Sequence, residues 1–174
     1  MTPVTTKRQL RFLTMLKEAA SLVHLDFSPK HRQPLPGRVV LAAVASIVCC
    51  LVADFILVVI GEAIFPATKG YVHFRFSDYG KLTVIGVIIA SAAWPIVARV
   101  TSAPRWLFFR QAIVVTLFLW LPDLYILWRG QPGDAVAVLM VMHLAIALVT
   151  YNLLVHGAPI RPVRQAEHSR LSNS

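Results

Sequence analysis

VVLAAVASIVCCLVADFILVVI, residues 39–60, runs for 22 residues with no charge except Asp54. A bilayer core of roughly 30 Å takes about 20 helical residues to cross, so this stretch reads as a membrane-spanning helix. Three more apolar stretches follow, Leu82–Ala98, Gln111–Trp128 and Ala135–Val155, of 17, 18 and 21 residues. The second is the shortest, but Lys81 and Arg99 at its two ends can snorkel to the interfaces and lengthen it. Backbone polar groups cannot be left unpaired in lipid, so each span must be helical. The fold class expected is an all-α membrane protein: four transmembrane helices in an antiparallel bundle.

Composition points the same way. The 174 residues are 57% hydrophobic and only 14% charged, a balance foreign to most soluble domains. The net charge of +9 comes from basic residues that border the spans. Seven precede the first span (Lys7, Arg8, Arg11, Lys17, Lys30, Arg32, Arg38), three lie between the second and third (Arg99, Arg105, Arg110) and three follow the fourth (Arg161, Arg164, Arg170). The other two loops hold only Lys69, Arg75, Lys81 and Arg129. Thirteen against four places both termini and the middle loop in the cytoplasm, with the chain in the inner (plasma) membrane. The same placement explains the basicity without a nucleic-acid partner.

Three regions are expected. Residues 1–38 form a basic arm in which Leu10, Leu13, Leu16, Ala20 and Val23 recur at helical spacing among Lys7, Arg8, Arg11 and Lys17. Such an amphipathic helix suits either the anionic lipid headgroups of the cytoplasmic leaflet or the protein's own cytoplasmic loops. Pro34-Leu35-Pro36-Gly37 breaks it from the bundle, and no signal-peptide cleavage pattern is present. Residues 39–157 are the transmembrane domain. Residues 158–174 read as a disordered cytoplasmic tail.

The connections differ in character. Gly61 to Lys81 is long and carries Phe65, Tyr71, Phe74, Phe76 and Tyr79, with a strand-like alternation from Tyr71 to Phe76. These aromatics are either an interfacial belt or a lid over the outer mouth of the bundle. Arg129 to Gly133 is so short that the third and fourth spans must form a hairpin. Small residues in the first span (Ala42, Ser46, Cys49, Ala53) and in the second (Gly86, Ala90, Ala93) recur every three or four positions, which suggests pairing of these two faces.

Asp54, Asp123 and His143 are the candidate site. A charge in hydrocarbon costs at least about 2.5 kcal/mol on insertion scales and needs a reason. At ~1.5 Å per residue all three lie some ~9 to 14 Å below the outer surface, in one layer. Cys50, Thr116 and Thr150 project toward the same seam. The layer suits proton or cation handling; equally, a carboxylate paired with His143 can fix helix register without any turnover. Pro122, beside Asp123, frees the carbonyl of Phe118 and kinks its helix, and Trp94-Pro95 repeats the device. Adjacent Cys49 and Cys50 diverge by ~100° on a helix, which disfavours a disulfide. With one histidine deep in a span, no bis-histidine haem is expected. No phosphate loop, zinc spacing or hydrolase elbow is present, so neither cofactor, metal nor catalytic residue is expected.

Ala53-Asp54-Phe55, Ile60-Gly61, Gly70-Tyr71-Val72-His73-Phe74, Thr83-Val84-Ile85-Gly86-Val87 and above all Val141-Met142-His143-Leu144 resemble a family of small four-span actinobacterial membrane proteins with no assigned function. The resemblance covers roughly residues 39–161. It implies an uncharged polar residue such as asparagine near Asp54; the long basic arm and Pro122-Asp123 depart from the pattern, and no activity carries over. The functional expectation is a non-enzymatic accessory or interaction subunit that meets a membrane protein partner or a second copy of itself. The alternative is a small proton- or cation-coupled transporter or channel component. A membrane enzyme on lipid or quinone is disfavoured, since no nucleophile has a partnered base.

Overall fold

A computed structural model of the chain describes residues 31–162, together with Met15. Four helices dominate it: α1 (Pro36–Ile64), α2 (Phe76–Val100), α3 (Pro104–Trp128) and α4 (Gly133–Gly157), of 29, 25, 25 and 25 residues. All four are long and apolar enough to cross a membrane. Each outruns its apolar stretch because helices continue into the interfacial zone, where backbone geometry persists after hydrophobicity stops. The starts of α1 and α3 are set by Pro36 and Pro104 in the first turn, a position where proline's missing N–H costs nothing.

Burial is inverted relative to a water-soluble bundle. Beyond its first two turns, α3 buries only Thr116 and Asp123, while Phe118, Leu121 and Trp128 stand exposed, Trp128 at 79%. The face of α1 turned inward reads Ala42, Ser46, Cys50, Asp54, Val58, Gly61. Leu41, Val44, Val48, Val52 and Phe55 point outward. Exposed apolar surface on this scale would aggregate in water and is what hydrocarbon covers.

The small residues of α1 serve α4 rather than α2. A Cβ on Gly61 would meet Val138 Cγ2 at 2.8 Å, and one on Gly157 would meet the Ala42 Cβ at 3.3 Å. Cys50 Sγ lies 3.5 Å from Thr150 Oγ1. The expected α1–α2 small-residue pairing is therefore not what forms: Gly86 has open space around it, and Cys49 is exposed. Close approach between helices in lipid rewards the pair with small residues on both sides, and Ala42 and Cys50 find that at Gly157 and Thr150, while Gly61 makes room for Val138.

Two apolar clusters hold the bundle. One joins Ala42, Trp94, Val97, Leu107, Phe108, Leu154, Val155 and Ala158. There Trp94, fully buried, donates from Nε1 to the carbonyl of Ala158 at 2.9 Å. The residues just past α4 are thus anchored, and Arg161–Pro162 pairs as a two-residue ladder with His31–Arg32. The second cluster joins Val58, Phe74, Tyr79, Ala135, Val138, Leu139 and Met142, with Phe65 and Tyr71 against it. Apart from Met15, the amphipathic arm lies outside the described residues, as does the tail beyond residue 162.

The α1–α2 connection is not strand-like. It folds into two single turns of 3-10 helix, Pro66–Thr68 and Val72–Phe74. Its amides are satisfied locally: Thr68 donates to Phe65, Tyr71 to Thr68 and Phe74 to Tyr71, at 2.9–3.0 Å. Gly70, at φ +76°, makes the reversal between the turns. Alternation of side chains was real, but a strand needs a neighbour to take its hydrogen bonds, and none is at hand among the described residues. The α3–α4 connection closes with a Schellman motif, Gln131 donating to Ile126 and Gly130 to Leu127, with Gly130 in the left-handed region at φ +85°.

Candidate functional site

Between the two apolar clusters lies the polar layer. Asp54 comes from α1, Asp123 from α3 and His143 from α4; α2 contributes Thr83, which sequence reasoning did not single out as a site residue. Thr83 Oγ1 donates to Asp54 Oδ2 at 2.7 Å. His143 Nδ1 stands 2.9 Å from Asp123 Oδ2. Asp54 feels the charge of His143 across the layer. The three predicted residues therefore meet, with Asp123 and His143 in direct contact and Asp54 bonded to a different partner.

The helices place these groups by simple registers. On α2 the buried face reads Thr83, Val87, Ser91, Trp94 at steps of four, four and three, which could have revealed Thr83 as an interior polar residue. On α1 the four-residue step from Ser46 through Cys50 brings Asp54 inward. Pro122 leaves Asp123 on the inner side of α3 while itself staying exposed. Trp120, one turn earlier, donates from Nε1 to the carbonyl of Met140 at 3.0 Å and ties α3 to α4 just beside His143.

The polar groups of the layer are incompletely satisfied. Asp54 is 0% exposed, and its Oδ1 has no hydrogen-bond partner among the described residues. The Asp123–His143 contact has the length of a hydrogen bond but not its alignment, so Asp123 Oδ2 and His143 Nδ1 also lack a formal bond. When the imidazole is protonated, that contact is an ion pair. Thr116 is buried but spends its hydroxyl on the carbonyl of Ala112, in its own helix, at 2.8 Å. Cys50 and Thr150 form a separate α1–α4 link, with Cys50 Sγ also 3.8 Å from the carbonyl of Ile146.

The α1–α2 loop closes over the layer. Phe74 and Tyr79 are buried in the second cluster, Phe65 and Tyr71 pack on it, and Tyr71 meets Phe74 edge-on at a centroid distance of 5.3 Å. Phe76 stays exposed. The expected aromatic belt and the expected lid thus divide between residues, most falling to the lid. Glu62 accepts from the Gly70 amide at 3.3 Å and braces the loop. Burial, with the nearby Asp123 carboxylate second, pushes the Tyr71 phenol above its ordinary value of 10.0. Its hydroxyl is buried without a hydrogen-bond partner.

Among the described residues no three His, Cys, Asp or Glu side chains gather as a metal site. Cys49 and Cys50 are both free thiols.

No family model matches the chain, and no curated protein or solved structure matches it. The resemblance drawn from short apolar motifs accordingly assigns no family.

Proposed function

We propose that the chain is a non-enzymatic accessory or interaction subunit of the plasma membrane, an antiparallel four-helix bundle with both termini in the cytoplasm. The observation that carries this reading is the pairing within the polar layer: Asp54 with Thr83 joins α1 to α2, and Asp123 with His143 joins α3 to α4. Interior polar pairs in a bilayer fix which helices meet and in which register. Supporting the orientation, the basic residues crowd the ends of the chain and the α2–α3 connection. The contacts Ala42–Gly157, Cys50–Thr150 and Gly61–Val138 run in opposite senses along α1 and α4, which supports the antiparallel arrangement. The broad apolar face of α3 is free to meet lipid, a partner's helix or a second copy. The basic arm is assigned to anionic headgroups, with no nucleic acid involved.

The test is proton flux and thermal stability measured together on the full chain in vesicles, wild type and Asp123→Asn. No flux in either, with earlier melting of the variant, supports the accessory reading. Wild-type flux lost in a variant of unchanged stability overturns it in favour of a proton- or cation-coupled transporter component. The bare Asp54 Oδ1 favours that second reading. Reporter fusions at the C-terminus test the orientation: a signal from the outer side would refute cytoplasmic termini.

A further inference from the structure

Four polar atoms buried without a hydrogen-bond partner, Asp54 Oδ1, Asp123 Oδ2, His143 Nδ1 and Tyr71 OH, belong to one neighbourhood. Asp123 touches His143, His143 acts on Asp54, and Asp123 acts on Tyr71. Among the described residues, the other groups facing this layer are Thr83 and Tyr79 from α2, Cys50 from α1 and Thr150 from α4. None of them is basic. His143 is thus one base against two acids.

The charge count decides what the layer needs. With His143 protonated and both carboxylates ionised, it carries one net negative charge; with a neutral imidazole it carries two. An uncompensated charge in low dielectric is strongly disfavoured, and the group neutralises instead. Neutrality requires one further positive charge, and Asp54 Oδ1 is the buried acceptor left open to receive it. The layer is also covered selectively. Asp54 is sealed on all sides, whereas the His143 side chain remains 25% uncovered by protein and Asp123 7%. The Tyr71 phenol lies near Asp123, on a loop braced by Glu62.

We propose that Asp54, Asp123 and His143 form a proton-binding site, with Asp54 Oδ1 as the atom that takes the proton. On loading, transient opening of the cover admits hydronium, which gives up a proton and leaves as water, and an O–H bond forms at Asp54 Oδ1. On release that bond breaks and water takes the proton. The site goes beyond an accessory role, and it requires no proton to cross the membrane.

The experiment is infrared difference spectroscopy of the full chain in vesicles, titrated between about pH 5 and 8, with carbon-13 aspartate in the wild type. The expected result is a buried aspartic-acid carbonyl band that is present at the acid end, lost reversibly at the alkaline end, and missing in Asp54→Asn. Asp54→Glu, which keeps a carboxyl, should move the band out of the labelled set. Absence of any titrating aspartate band in the wild type overturns the site, as does its persistence in Asp54→Asn. If sodium in place of potassium abolishes the titration, the occupant is a metal cation and the proton assignment falls. Flux plays no part in these readouts, so failure of the transporter reading leaves them intact.

Discussion

The two halves of the bundle solve the same problem differently. Around Trp94 the packing is apolar and closed: Phe108 lies 5.1 Å from the indole and stacks on Tyr151 at 5.9 Å, and the one polar atom of Trp94 is satisfied by Ala158. Around Asp54 and Asp123 the interior is polar, several atoms lack partners, and a loop instead of a helix supplies the cover. Stability is concentrated where apolar packing dominates. Chemistry is concentrated where some are not, because an unsatisfied buried group costs free energy that only a role or a bound species offsets.

The sharpest way to break this contrast is Trp94→Ala. It removes the largest fully buried side chain and orphans the Ala158 carbonyl, so a loss of about 3–5 kcal/mol is expected in denaturation of the detergent-solubilised protein. Trp94→Phe, which keeps most of the volume and loses the hydrogen bond, should cost about 1–3 kcal/mol. If both variants melt like wild type, the closed half is not where the stability lies.

Gly61→Leu attacks the seam between α1 and α4. Even a Cβ there meets the stiff Val138 side chain at 2.8 Å, and overpacking of this kind costs about 1–3 kcal/mol. Gly86→Leu on α2, where space is open, is the control and should melt within about 0.5 kcal/mol of wild type. Equal effects at the two glycines would undo the assignment of α4 as the close partner of α1.

Thr83→Val leaves Asp54 without its one donor, for an expected loss of about 1–3 kcal/mol at neutral pH. That loss should shrink in acid, where a protonated Asp54 needs the donor less. The smallest effect concerns Tyr71. Its phenol holds its proton more tightly in the folded chain than at the ordinary 10.0. The stabilisation this brings is therefore complete below pH 10 and is lost as pH rises through the higher folded value. Ultraviolet titration should show Tyr71 ionising after an ordinary tyrosine, with the difference gone in Tyr71→Phe; ionisation at the ordinary value would mean that the loop does not cover the layer.

Much of this was legible in the chain. The four apolar runs locate the helices, since the energy of a polar backbone in hydrocarbon leaves no other structure. Asp54, Asp123 and His143 stand out for the same reason, and helical rise alone puts them at one depth. The loop was misread because alternation of side chains carries no information about hydrogen-bond partners. Thr83 and Tyr71 were not picked out as members of the layer because a threonine in a span and an aromatic beside one are both ordinary, and only their neighbours make them unusual.

The sequence by itself determined the number of helices, their apolar centres though not their starts, which lie up to seven residues earlier, and which side chains are costly to bury, because transfer from water to hydrocarbon is a property of single residues and short runs. Tertiary structure decided that α1 packs on α4 through Gly61 and Cys50, that Asp123 rather than Asp54 meets His143, and that Tyr71 lies near Asp123. Those are pairings between residues tens of positions apart, and a pairing is chosen by shape and partner across the bundle, which no local stretch contains.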